Sequence, residues 1–310
     1  MKSVIATPGA LGSLTVGEVP EPTPDSNEAL IKVTCFSLNR GEVRRAEQAA
    51  AGTQIGWDTV GVIEKPARDG TGPAGGARVV GLSLKMRGWA ERVAIPTTAL
   101  APIPDTVSDA DAATLPVAGL TALYGLERCE RLLGSRVLVT GATGGVGYFA
   151  CQLAKAMGAH VSALARREDR SAFLTDAGVD EVIVSPDGGG LDRYPPFRAI
   201  IDGVGGPALG RLIQRLDVGG RVIIYGVSAG PETTLAIRDL FASDARVEGL
   251  FLYREVERIS ASDGLSRLMA LLADGRLKTH IDIDDSWEAI GPTAAKLIDR
   301  TFTGKAVLRL

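Results

Sequence analysis

The chain has 310 residues, 45% hydrophobic and 23% charged, with a formal net charge of −3. That length exceeds one typical core and points to two domains. The small negative charge gives no general attraction to nucleic acid or to an anionic membrane, and no apolar run reaches the roughly 18 residues that span a bilayer.

The N-terminal stretch MKSVIATPGALGSLTVGEV lacks a continuous apolar core and reads as two strands, not a signal peptide. A cytoplasmic location is the default expectation. Short strands follow at Leu30-Ile-Lys-Val-Thr-Cys-Phe, Val60-Gly-Val-Ile, Ala77-Arg-Val-Val-Gly-Leu and Trp89-Ala-Glu-Arg-Val-Ala-Ile. Proline, glycine and aspartate punctuate them, with a proline-rich turn at Pro20 to Pro24 and an exposed connection at Asp69 to Gly76. Many short strands with such turns suggest a small, irregular β-barrel. Gly41 to Ile55 reads as a short, Ala-rich loop. A helix start capped by Ser108 comes next, and Leu115-Pro-Val-Ala-Gly-Leu-Thr-Ala-Leu-Tyr leads onward.

Val137 to Val161, VLVTGATGGVGYFACQLAKAMGAHV, is the most informative stretch. An apolar strand runs into Gly141, Gly144, Gly145 and Gly147, and apolar residues then recur three or four apart, the spacing of a helix with one buried face. Gly158 ends that helix and His160 to Leu164 opens a second strand. Strand, glycine turn, helix, strand is a dinucleotide-binding opening. The first N–H groups of a helix lack partners and carry partial positive charge, so a pyrophosphate fits if the turn lacks Cβ atoms. Further strands at Glu181-Val-Ile-Val, Ala199-Ile-Ile-Asp, Arg221-Val-Ile-Ile-Tyr and Arg246 to Tyr253 continue the alternation. A helix over Ala208 to Leu216, ended by Val218-Gly-Gly, lies among them. Repeated βαβ order argues for a parallel sheet covered by helices on both faces. The tail closes on the strand Gly304-Lys-Ala-Val-Leu-Arg-Leu.

The chain resembles the zinc-independent, quinone oxidoreductase-like branch of the medium-chain dehydrogenase/reductase superfamily over nearly its whole length. The resemblance rests on Ser37-Leu-Asn-Arg, Gly56-Trp-Asp-Thr-Val-Gly-Val, Leu115-Pro-Val-Ala-Gly-Leu-Thr-Ala-Leu, VTGATGGVG, Gly219-Gly-Arg-Val-Ile-Ile-Tyr-Gly and the Gly-Lys-Ala-Val-Leu close, in that order. It implies a GroES-like β-barrel catalytic domain over residues 1–114 and 256–310. A Rossmann-type doubly wound parallel sheet over 115–255 binds the nucleotide, and the active cleft lies at their junction.

Strand two of the nucleotide fold runs into Ala165-Arg166-Arg167-Glu168-Asp169-Arg170. Arginine there suits a 2′-phosphate, so the expected cofactor is NADPH, with Arg166 first and Arg167 and Arg170 behind it. Zinc-dependent relatives carry Gly-His-Glu where this chain has Gly56-Trp57-Asp58. Cys35, Cys129 and Cys151 form no CxxC pair, and His160 and His280 complete a poor ligand set. A metal-free site favours an already electron-poor acceptor, a quinone or a C=C bond conjugated to a carbonyl.

The resemblance implies that Asn39 and Thr121 face the nicotinamide or substrate. It implies also that Thr143, Gly144, Gly145 and Val146 hold the pyrophosphate, and that Phe251, Leu252 and Tyr253 meet the carboxamide. Asp202, Gly203, Val204, Tyr225, Gly226 and Val227 lie just after strands, at the edge where such sheets bind ligands. Asp58 is the candidate substitute for the family's proton donor, against a turn-anchoring role. A homodimer through the Arg246 to Tyr253 edge strand is implied too. Two other functions compete: a biosynthetic enoyl reductase on a specialised or carrier-bound substrate, and a NADPH-binding protein with little catalysis. A short-chain reductase is disfavoured, since none of the five tyrosines has lysine four residues on.

Overall fold

The computed structural model describes residues 1–168 and 172–310. The chain divides into two compact units, Met1–Leu120 with Val256–Leu310, and Thr121–Glu255. The first begins with an antiparallel hairpin of β1 (Lys2–Ala6) and β2 (Leu14–Glu18). It continues through β3 (Glu28–Ser37), α1 (Arg40–Gln48), β4 (Asp58–Lys65), β5 (Arg78–Leu82), β6 (Arg92–Pro96), β7 (Leu100–Pro102) and α2 (Asp109–Ala113). β3 is the spine of this sheet. One of its edges pairs with β4, and Glu28 to Lys32 on the other pairs with β6. Ser108 caps α2 as expected, its hydroxyl accepting from the Asp111 N–H at 3.1 Å.

α1 corrects one expectation. The first half of the stretch read as a loop is helical, because Asn39 and Glu42 form a reciprocal capping box and Val43 and Ala46 present a buried stripe. α3 (Pro116–Glu127) follows. The division between the units falls inside α3, after Leu120.

The second unit contains β8 (Arg136–Thr140), α4 (Gly145–Ala156), β9 (His160–Ala165), β10 (Glu181–Val184), β11 (Phe197–Asp202), α5 (Gly206–Ile213), β12 (Leu216–Ile224), α6 (Ile237–Ser243), β13 (Arg246–Gly249) and α7 (Leu252–Glu255). Among the described residues its six strands are all parallel, in the order β10-β9-β8-β11-β12-β13. That is the 3-2-1-4-5-6 order of a doubly wound nucleotide fold, with the reversal of winding between β8 and β11. On one face Leu138, Ile200 and Val222 pack with Leu209, Leu212 and Ile213 of α5.

Two boundaries differ from the sequence reading. Val218-Gly-Gly lies inside β12, whose register against β11 shifts between Phe197 and Ala199 and so absorbs the glycines. The last strand of this sheet stops at Gly249, and Leu252–Glu255 is helical. The partner strand β12 ends at Ile224, opposite Gly249, and Arg128 donates to the Gly249 carbonyl at 3.0 Å and pairs with the Glu255 carboxylate just beyond.

The chain closes with α8 (Ala261–Ala273), β14 (Ile281–Ser286), α9 (Ile290–Asp299) and β15 (Lys305–Arg309). β15 returns to the first unit's sheet, pairing with Cys35 to Ser37 of β3 on one side and with β14 on the other. Phe36 stacks on Trp89 at 5.1 Å in the core beside Trp287, Ile290 and Leu308. The fold is a GroES-like barrel-type domain plus a Rossmann-type domain. Among the described residues no helix is long and apolar enough to cross a membrane.

Candidate functional site

The winding reversal puts the carboxyl ends of β8 and β11 side by side, and the glycine turn starts there. Gly147 lies where the helix meets the turn: a Cβ on it would come within 2.3 Å of the Gly141 carbonyl oxygen. Only glycine lets α4 approach so closely. The first ladder bond runs from the Tyr148 N–H to the Gly144 carbonyl at 2.9 Å, so the N–H groups of Gly145 and Val146 precede the ladder. Gly144 differs from expectation. Its N–H closes the turn on the Gly141 carbonyl at 3.0 Å and is not offered outward. Thr143 stands half-buried in the same turn.

Across the reversal, Asp202 is wholly buried. Its carboxylate accepts from the Thr140 hydroxyl at 2.6 Å and from the N–H groups of Gly205 at 2.8 Å and Val204 at 3.4 Å. Burial raises its pKa against the opposing pull of these hydrogen bonds. Tyr225 lies over Gly203, where a Cβ would come within 2.3 Å of the phenolic oxygen, so a tyrosine here requires a glycine there. Burial, then the nearby Asp202 carboxylate, pushes the Tyr225 phenol well above its ordinary range. Gly226 packs on the Gly203 carbonyl, and Val227 is exposed beyond it. Arg166 and Arg167 are exposed immediately after β9, the strand beside β8. Arg170 lies outside the described residues. Phe251 is 63% exposed and stacks on Tyr253, and Leu252 is buried. Thr121, on α3, is only 6% exposed, and no described residue hydrogen-bonds its hydroxyl.

In the first unit, Asn39 and Asp58 come together in a buried polar cluster. Asp58 is 0% exposed; its Oδ2 accepts from Ser37 Oγ at 2.6 Å, Asn39 Nδ2 at 2.8 Å and Lys305 Nζ at 3.2 Å, and its Oδ1 from the Val117 N–H at 2.9 Å. Lys305, 4% exposed, also donates to the Leu38 carbonyl at 2.9 Å and to Asn39 Oδ1 at 2.6 Å. Glu42 accepts from the Asn39 N–H at 2.7 Å, from Asn39 Nδ2 at 3.1 Å and from the Trp57 N–H. Burial, then the Asp58 carboxylate, holds the Glu42 carboxyl well above its ordinary pKa. Every polar atom of the Asn39 side chain is therefore engaged within the chain. Burial likewise pushes the Cys35 thiol up to about 12. Among the described residues no group of three His, Cys, Asp or Glu is placed to hold a metal ion.

Sequence reading missed Thr140, Ser37, Glu42 and Lys305. Asn39-x-x-Glu42 was a visible capping-box signal. Lys305 stood in a noted motif, but nothing local tells that its ammonium is buried.

A parallel sheet of this order, with a glycine turn at its winding reversal and a barrel-type second domain, defines a dinucleotide-linked oxidoreductase class. A family profile described as "Zinc-binding dehydrogenase" matches residues 145–270. The chloroplast envelope quinone oxidoreductase homolog of Arabidopsis thaliana is 31% identical over 97% of this chain and 95% of that protein. Acryloyl-coenzyme A reductase of Metallosphaera sedula is 26% identical over 99% of both. A phenolphthiocerol/phthiocerol polyketide synthase of Mycobacterium tuberculosis is 30% identical over 99% of this chain, which spans only 14% of that protein's length. The solved quinone oxidoreductase of Escherichia coli, complexed with NADPH, shares the fold with a TM-score of 0.88 at 21% identity over 100% of both chains. The chain belongs to the quinone oxidoreductase-like family of medium-chain dehydrogenases/reductases.

Proposed function

We propose that this chain is a NADPH-dependent reductase. It passes hydride to an electrophilic small molecule, a quinone or a C=C bond conjugated to a carbonyl, without a catalytic metal. The observation that carries this reading is the free helix start at Gly145 and Val146 beside β9, with exposed Arg166 at the end of that strand. A helix start attracts a pyrophosphate, and a cation at the end of the second strand reads a 2′-phosphate.

When bound, the nicotinamide supplies the hydride. The protein's part is to hold and orient it: Gly145 and Val146 donate to the pyrophosphate, Arg166 with Arg167 to the 2′-phosphate. The unengaged hydroxyl of Thr121 faces the nicotinamide. Thr143, the Gly203 and Tyr225 loops, and Phe251 to Tyr253 complete the cofactor walls. Hydride adds to one end of the polarised acceptor bond, and a proton completes the reduction at the other. Asp58 and Glu42 are buried with their oxygens committed, so water supplies that proton and Asp58 anchors the polar cluster of its own unit.

The donor chemistry at the first unit's cluster does not fit zinc. Asp58 already serves an ammonium and three other donors, and the Cys35 thiol is held far from the thiolate a metal requires. Lewis-acid activation matters for a simple alcohol but less for an acceptor that is already electron-poor.

A second reading is an enoyl reductase acting on a thioester-linked substrate. The acryloyl-coenzyme A reductase and polyketide synthase relatives, each matching 99% of this chain, favour it. A homodimer through the outer edge of β13 accompanies either reading. That strand ends the sheet, and an unpaired edge invites a partner strand. Light scattering at a monomer mass removes the dimer.

The test follows absorbance at the nicotinamide band with a small quinone, an enone and an enoyl thioester in separate cuvettes, with NADH as control. Turnover with quinone or enone and NADPH supports the first reading; turnover with the thioester alone selects the second. Binding without turnover on any acceptor leaves a cofactor-binding protein.

A further inference from the structure

β8 and β11 pair in register as far as Val139 opposite Ile201. One residue further, side chains take over from the backbone ladder. Thr140 Oγ1 donates to Asp202 Oδ1 at 2.6 Å and accepts from the Gly203 N–H at 3.1 Å. Asp202 Oδ2 then takes the Gly205 N–H at 2.8 Å. The loop after β11 is thus pinned to the end of β8, the strand that launches the glycine turn. At 1% and 0% exposure, neither side chain can touch a bound dinucleotide.

The placement is chemically unusual. A buried carboxylate sits beside the turn at which a pyrophosphate must arrive, where an unengaged negative charge would repel it. The Thr140 hydroxyl and the two loop N–H groups all donate to that carboxylate. They absorb its charge and leave the start of α4 free for the ligand.

We propose that Thr140 and Asp202 are positioning residues for the dinucleotide: together they set the spacing between the glycine turn and the Gly203–Gly205 loop and keep the carboxylate engaged. This role rests on the cofactor reading above. Across the reversal the Thr140 hydroxyl reaches both the Asp202 carboxylate and the Gly203 N–H, while Val204 packs toward Gly141, so the hydroxyl supplies the directional link between the two loops.

The experiment measures NADPH dissociation constants by fluorescence, alongside melting temperature, for the full chain and four variants. Thr140→Val removes the hydroxyl at nearly constant shape, and Asp202→Asn turns one accepting oxygen into an NH2 that cannot take the loop donor facing it. Each is expected to weaken NADPH about ten-fold, the equivalent of one lost hydrogen bond. Thr140→Ser restores the donor and is expected to bind within about two-fold of the unaltered chain. Val222→Ala, buried in the same sheet away from the reversal, lowers the melting temperature but leaves binding within about two-fold, as expected of a distant site. The role is overturned if Thr140→Val binds as tightly as the unaltered chain, or if Val222→Ala weakens binding equally. An unaltered chain that binds no NADPH overturns the cofactor reading and this role together.

Discussion

Lys305 Nζ donates to the side-chain oxygen of Asn39 at 2.6 Å, and that contact fixes which way the amide points. Its nitrogen is left to face Asp58 at 2.8 Å and Glu42 at 3.1 Å. One buried cation thus orients an amide that in turn bridges two buried acids. The helix cap of α1, the first residue of β4 and the last strand of the chain meet at this point.

Lys305→Met removes the cation and leaves Asp58 and Glu42 buried without a counter-charge. Breaking a buried pair by deleting one partner costs about 3–5 kcal/mol. Urea unfolding should show that loss, and adding Asp58→Asn to the same chain should recover part of it. A Lys305→Met chain as stable as the parent would mean that the ammonium contributes nothing.

Glu42 sets a pH dependence. The folded chain holds its proton more tightly than the unfolded chain, because burial raises the pKa. Its contribution is therefore fully present below the ordinary glutamate pKa and is lost as pH rises through the folded value. Glu42→Gln should flatten that declining limb of the melting temperature as pH rises above the ordinary glutamate range. It should also lower stability at every pH by about 1–3 kcal/mol, since an amide NH2 replaces an acceptor facing N–H donors. An unchanged slope would disprove the assignment.

Arg166→Ala should raise the KM for NADPH roughly 10- to 100-fold, the worth of a charge-assisted hydrogen bond, and leave the KM for NADH as it was. Parallel steady-state assays with both cofactors make the comparison. Equal losses with the two would place the arginine away from the 2′ position.

Thr121→Val keeps the shape of a buried side chain and deletes a hydroxyl that no described residue engages. Stability should hold within about 0.5 kcal/mol, because no internal hydrogen bond is lost. kcat/KM should fall about ten-fold if the hydroxyl orients the nicotinamide. A drop in melting temperature with unchanged kinetics would give Thr121 a packing role instead.

The features legible in the sequence are those held within a short span. The glycine turn, the helix after it and the Ser108 cap each depend on neighbours a few residues away, and they stand where local spacing puts them. Less was legible where a distant group intervenes. The strand read through to Tyr253 stops at Gly249, where its partner β12 ends opposite it at Ile224. Val218-Gly-Gly resembles a helix stop, yet a register shift holds it inside a strand. α1 was missed although its capping box was visible, because the Ala-rich remainder of the stretch carries little hydrophobic pattern of its own.

The sequence by itself determined the mixed α/β fold with its parallel sheet, the glycine turn between strand and helix, and the arginines that follow the second strand. Periodicity and glycine placement act through bonds between near neighbours. Only the tertiary structure decided what the polar candidates do. Lys305 meets Asp58 across 247 residues, and Thr140 meets Asp202 across 62. Whether a carboxylate faces solvent or is buried against donors depends on strand order and register, and these are set by the packing of the whole sheet. That is why Asn39 and Asp58, which by motif resemble ligand-facing residues, are found holding a buried cluster. It is also why Thr140, one residue before the glycine turn, is found joining the end of β8 to the loop after β11.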